Sequence, residues 1–121
     1  MANIETFTTT STGTILNAIA TMENNHSRTA LIVEAGKLIG LITEGDVMRA
    51  LLRGSTVNSP LREVMKVDFK FLRERDERAA LMLFCQFGFG VAPVVDDCMR
   101  LVDVITLKEL LPKMKLGEAI D

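Results

Sequence analysis

Apolar residues recur at helical spacing in two stretches of the chain: Ile15, Leu16, Ile19 and Met22, and again Ala79, Leu83, Phe84 and Phe87. Spacings of three and four place such residues along one face of an α-helix. A short apolar run follows each stretch, at residues 30–33 and 93–95, and predicts a buried strand. A turn comes next, Glu34-Ala35-Gly36 in one case and Asp96-Asp97-Cys98-Met99 in the other. Gly36 suits the positive φ that a tight hairpin turn requires. A second strand is then predicted over residues 37–42 and 100–105, and a helix opens at Thr43 and at Thr106. A further short strand is expected ahead of each set, near residues 4–8 and 69–72.

The order of elements is therefore the same twice, and the residues agree with it. A shift of 63 positions lays residues 92–111 on residues 29–48 without a gap. It sets Leu31 on Val94, Ile32 on Val95, Leu38 on Leu101, Ile42 on Ile105, Thr43 on Thr106 and Val47 on Leu110. Each repeat reads β-α-β-β-α, an α/β (α+β) pattern. Neither copy has enough elements to cover both faces of its strands. Two copies related by a pseudo-twofold axis, packed sheet to sheet with helices outside, form the expected architecture. The reading divides the chain into repeat one at 1–54, a linker at 55–59, repeat two at 60–113 and a tail at 114–121. Pro60 fits the first turn of a short helix carrying Val64 and Met65.

Composition narrows the chemistry. Of the 121 residues, 48% are apolar, enough for a packed core, and the net charge of −2 leaves no basic footprint for nucleic acid. The uncharged run over residues 79–95 is too short for a comfortable membrane span and is broken by Gln86, Gly88, Gly90 and Pro93. A helix, a glycine turn and a strand account for it, and no membrane insertion is expected. The two cysteines, Cys85 and Cys98, and the single histidine, His26, have no metal-ligand spacing, so no metal site is expected. The cysteines read as unpaired thiols of a cytoplasmic protein. Glu74 and Asp76 stand among Arg73, Arg75 and Arg78. That segment reads as a solvated charged surface rather than a catalytic pair. Without a nucleophile–base pair or a phosphate-transfer loop, no enzymatic activity is expected.

The stretch Gly40-Leu41-Ile42-Thr43-Glu44-Gly45-Asp46, set between a strand pair and a helix, resembles the signature of the CBS domain. Ala92-Pro93-Val94-Val95-Asp96 is similar to that family's first long strand, and Pro60-Leu61-Arg62-Glu63-Val64-Met65 to the start of a repeat. The resemblance runs from about Ile4 to about Leu111 and identifies a tandem CBS pair, or Bateman module. It implies a non-catalytic regulatory domain that binds AMP, ADP, ATP or S-adenosylmethionine between its repeats and signals to an attached or partner protein. It implies no obligatory cofactor and a homodimer. It also suggests a fragment, since repeat one lacks a counterpart of residues 60–65 and no effector domain is present. The alternative is a structural or dimerisation module that has lost its ligand. In that case apolar helix faces, such as Val47 with Leu51 and Leu110 with Leu111, would meet a second copy.

In the resemblance, Asp46 takes the ribose hydroxyls, Thr43 lies near ribose and phosphate, and Arg28 meets phosphate. Val67, Asp68, Phe69, Val91 and Ala92 would lie against the adenine. The residues themselves allow another role. Thr-x-x-Asp at a helix start is a capping box, in which Thr43 caps and Asp46 returns to the Thr43 N–H. Arg28 also reads as a solvated charge, and Val67, Phe69 and Val91 as core. In repeat two, Thr106 and Glu109 form the stronger capping box. Asp103 replaces the glycine and Val91 stands at the place of Arg28, so the second site reads as degenerate.

Overall fold

The computed structural model describes residues 3–115, which fall into two compact units. One holds residues 5–69 and the other residues 3–4 and 70–115. A 3-10 turn, Ile4–Phe7, leads into the elements of the first unit: β1 (Thr8–Thr10), α1 (Ile15–Asn25), β2 (Thr29–Glu34), β3 (Lys37–Thr43), α2 (Glu44–Leu52) and the short α3 (Leu61–Val64). The second unit carries α4 (Glu77–Phe87), β4 (Val91–Val95), β5 (Leu101–Thr106) and α5 (Leu107–Lys115). Most of the expected tail, from residue 116, lies outside the described residues.

Strands β1, β2 and β3 form one sheet in that order, β1 parallel and β3 antiparallel to β2. The opening strand expected at residues 4–8 starts later, because residues 4–7 coil into the 3-10 turn. Strands β4 and β5 form an antiparallel pair. The strand expected near residues 69–72 reduces to a single bridge, Leu72 to Val94. The helices pack on the strands through part of the apolar faces read from the periodicity: Leu16 and Phe87 are exposed, and Ala80 rather than Ala79 is buried. In the first unit Ile15, Ala18 and Met22 of α1 join Val47 and Ala50 of α2 over Ala30, Ile32 and Ile42. In the second, Ala80 and Phe84 of α4 join Leu110 of α5 over Ala92, Val94 and Ile105. Val47 and Leu110 are thus spent on their own cores, not on an outer face. Residues 79–95 form the rest of α4, a left-handed Gly88 and β4. Among the described residues, no helix is long and apolar enough to cross a membrane.

The repeat is not gapless. Ala30 pairs with Ile42, but Ala92 pairs with Ile105. The shift of 63 therefore holds for β5 and α5, while β4 matches β2 one residue earlier. Ala92 corresponds to Ala30 and Val94 to Ile32, and these four line the two cores. The hairpin loop is the physical reason. In the first repeat Ala35 and Gly36 turn the chain with φ of 52° and 79° between the paired Glu34 and Lys37. In the second, one more residue is accommodated by Met99 at φ 65°, while Asp96 Oδ1 accepts from the N–H groups of Cys98 and Arg100 at 2.9 Å each. The counterpart of Arg28 is consequently Gly90, not Val91. The backbone agrees: Glu44 N–H donates to the Arg28 carbonyl at 3.0 Å, and Leu107 N–H to the Gly90 carbonyl at 2.9 Å.

The boundary between units falls after Phe69, later than the 55–59 linker read from the sequence. Residues 60–69 are bound to the first unit. Leu61 is fully buried in its core, and its N–H donates to the Gly13 carbonyl at 3.0 Å. Arg62 donates to Ser11 at 3.2 Å and also pairs with Glu34. Lys66 and Leu41 exchange backbone hydrogen bonds of 2.8 and 2.9 Å. This close approach leaves little room for a side chain at position 40. A Cβ there would lie 2.6 Å from Met65 Sδ and 3.3 Å from the Lys66 carbonyl oxygen. Gly40→Ala is expected to lower stability by roughly 1–3 kcal/mol through overpacking, read as a reduced urea midpoint.

Candidate functional site

Thr43 ends β3 in an extended conformation (φ −108°, ψ 166°) and caps α2. Its Oγ1 accepts from Asp46 N–H at 3.2 Å. Asp46 Oδ2 in turn accepts from the Thr43 N–H and from the Thr43 hydroxyl, both at 2.9 Å. The capping box read from the sequence is therefore complete. The other carboxylate oxygen, Oδ1, meets two cations: Arg49 Nη2 at 2.8 Å and Lys66 Nζ at 3.4 Å. A carboxylate has about four acceptor positions; three of them carry these hydrogen bonds, and Lys66 adds an ion-pair contact. The Asp46 side chain is only 8% exposed, whereas those of Arg49 and Lys66 are 56% and 52% exposed. Burial alone would raise the Asp46 pKa. The bond from Thr43 N–H, the bonds from Arg49 and the Thr43 hydroxyl, and the charge of Lys66 outweigh it and hold the carboxyl below its ordinary value.

Arg28 lies beside this motif. It occupies a left-handed backbone position, φ 57°, in the loop between α1 and β2. Asn25 fixes that loop: its Nδ2 donates to the Thr29 carbonyl at 2.9 Å, and its Oδ1 accepts from Ser27 N–H at 2.7 Å. The Arg28 side chain is 83% exposed and 3.9 Å from Glu44, the first residue of α2. Thr43, Asp46 and Arg28 thus stand together in one unit, with Arg49 and Lys66, which the sequence reading missed. Arg49 was legible as a cation three residues after Asp46 on one helix face. Lys66 was not, because its place depends on the bridge to Leu41.

Val67, Asp68 and Phe69 follow Lys66 in the same unit. Val67 is 70% exposed, so it is not core there; Asp68 is exposed and Phe69 half-buried. Val91 and Ala92 lie in the other unit, fully buried on β4 and paired with Thr106 and Ile105. In that unit Glu109 closes the second capping box. Its Oε1 accepts from Thr106 N–H at 2.8 Å, and Thr106 Oγ1 accepts from Glu109 N–H at 3.2 Å. Its other oxygen is held by Arg75 at 2.7 Å. The charged segment around Arg75 is therefore not simply solvated. Among the described residues, no group of His, Cys, Asp and Glu side chains has the arrangement of a metal site, and Cys85 and Cys98 are free and exposed.

Comparison with known proteins agrees with this geometry. Residues 3–53 match the model of the CBS domain. An uncharacterized protein of Methanocaldococcus jannaschii, MJ1225, is 32% identical over 91% of this chain. Its crystal structure, described as a putative archaeal homolog of g-AMPK, superposes with a TM-score of 0.70 at 29% identity over 88% of this chain and 46% of that one. A CBS domain protein from Pyrobaculum aerophilum, PAE2072, complexed with AMP, gives a TM-score of 0.73 at 17% identity over 93% of this chain and 91% of that one. The CBS domain pair of protein MJ0100, in complex with 5-methylthioadenosine and S-adenosyl-L-methionine, gives 0.73 at 23% identity over 89% and 90%. Residues 3–53 are a CBS domain, and the chain as a whole has the fold of CBS-domain pairs. It spans 47% of the length of MJ1225 and 30% of a Helicobacter pylori relative that is 30% identical to it.

Proposed function

We propose that this chain is a non-catalytic regulatory module, cytoplasmic, that binds an adenine nucleotide or related adenosyl ligand at the Thr43–Asp46 motif and signals to an effector outside the chain. The observation that carries the reading is the nearly buried Asp46 carboxylate, fixed by its cap and faced by two half-exposed cations. The AMP bound to PAE2072 and the adenosyl compounds bound to MJ0100 support the same ligand class. Ribose hydroxyls reach Asp46 Oδ1 by displacing Arg49 or Lys66. The displaced cation, with Arg28, is then available to a phosphate. Val67, Asp68 and Phe69, which follow Lys66 in the same unit, are assigned to the adenine. Ligand binding would act as a differential affinity for two states of the module and shift its partner equilibrium.

Calorimetric titration with AMP, ATP and S-adenosylmethionine tests the assignment. A charge-assisted bond contributes about 1.5–3 kcal/mol, so Asp46→Asn is expected to weaken binding at least roughly tenfold. Equal affinity in the two proteins would defeat the role given to Asp46. A second reading, a ligand-free homodimerisation module, rests on the outer face of α2, where Met48, Leu51 and Leu52 are 59%, 40% and 86% exposed. It requires dimers that persist in sedimentation without ligand and in the absence of any adenosyl binding.

A further inference from the structure

We propose that the second motif is occupied by the protein's own Arg75, a ligand-independent clamp, so that the module takes up one adenosyl ligand per chain. The stoichiometry rests on the reading of Asp46 above; the clamp does not. Arg75 Nη2 meets Glu109 Oε2 at 2.7 Å and Glu77 Oε2 at 3.0 Å, while Nη1 meets Asp103 Oδ2 at 3.0 Å. Lys113 Nζ closes the cluster on Glu77 Oε1 at 2.5 Å. These groups come from the segment before α4, from α4, from β5 and from α5, so the clamp links four segments of the second unit.

The two motifs differ where the ligand would act. Glu109 stands at the repeat position of Asp46, and Asp103 at that of Gly40. In the first motif Oδ1 is held by cations more than half exposed, and two cations face one carboxylate. In the second, Arg75 is 32% exposed and bound by three carboxylates, one of which, Glu77, also meets Lys113. Displacing Arg75 would leave three carboxylates facing one another, and their charge would repel a phosphate. The basic residue is also missing there, because the counterpart of Arg28 is Gly90. A single side chain, placed by its fork geometry among three carboxylates, has taken over the role of the ligand.

Calorimetry with AMP and with S-adenosylmethionine, together with melting curves of ligand-free variants, tests this. Wild type is expected to bind one equivalent per chain, weakened at least roughly tenfold in Asp46→Ala. Two equivalents, or undiminished binding in Asp46→Ala, would overturn the proposal. Ligand-free Arg75→Met is expected to melt several degrees below wild type, with Arg75→Lys in between. The loss should shrink by more than half in an Asp103→Asn/Glu109→Gln background. An undiminished loss, or an Arg75→Met protein that melts like wild type, would remove the clamp. If no adenosyl ligand binds at all, the Asp46 reading fails, and the melting series alone decides the clamp.

Discussion

Leu61→Ala is expected to lower the unfolding free energy by about 2–5 kcal/mol, the range for truncating a fully buried leucine. Leu61 is 0% exposed and belongs to the same core cluster as Ile15, Ile32, Ile42 and Val47. Its backbone is anchored to Gly13, and the neighbouring Arg62 is anchored to Ser11 and Glu34, so the segment cannot collapse freely into the vacated volume. If residues 60–65 were merely an opening turn of the second unit, the cost to the first would stay within roughly 0.5 kcal/mol, as for a surface change. A urea titration decides the matter through the midpoint, provided that the slope is unchanged. The same variant should also loosen Lys66, which is held to Leu41 just beyond α3.

Asp46→Ala is expected to cost about 1–3 kcal/mol. Loss of an N-cap interaction alone removes about 0.5–2 kcal/mol. Here the Thr43 N–H also loses its acceptor, and Arg49 and Lys66 lose their common carboxylate. The effect depends on pH in a defined direction. The folded-state pKa of Asp46 lies below the ordinary value of 3.8. The stabilisation is therefore fully present above 3.8 and is lost as pH falls through the lower folded value. Wild type and Asp46→Ala should differ at neutral pH and converge in acid. A difference that stayed constant down to pH ~2 would show that the cost is packing and not charge.

Much of this fold was legible because apolar spacing follows secondary structure closely. Residues such as Ile15, Met22, Ile42 and Phe84 lie in the cores that the periodicity marked for them. What the pattern did not carry was the register between repeats. Two hairpins with nearly the same residues differ by one position in the loop, and a one-residue slip reverses which side chains face the core. Class preservation among Leu31, Ile32, Val94 and Val95 masks that slip, since all four are apolar strand formers. The anchoring of residues 60–69 was hidden for another reason. Gly40 and Met65 are far apart in sequence, and neither announces a contact with the other.

The site was half legible. Thr43 and Asp46 at a helix start carry their own geometry, and the complete capping box follows from it. Asp46 thereby serves local structure whether or not a ligand binds. Lys66 and Arg75 were invisible as partners because their carboxylates come from distant segments: Asp46 for Lys66, and Asp103 and Glu109 for Arg75. Arginine in a run of mixed charge reads as solvated surface until the fold brings acidic groups around it.

The central claim is that Asp46 holds an adenosyl ligand. The most direct measurement is the ligand-induced change in melting temperature of the intact chain with AMP, ADP, ATP and S-adenosylmethionine, repeated on Asp46→Asn with each protein referred to its own ligand-free value. A ligand at about 100 times its dissociation constant stabilises by ~2.7 kcal/mol, a rise of several degrees. That rise is expected with at least one of the four, cut to about half or less in Asp46→Asn, since a tenfold weaker site at the same ligand concentration stabilises by only ~1.4 kcal/mol. No rise with any of them at millimolar concentration, or an equal rise in both proteins, would contradict the claim.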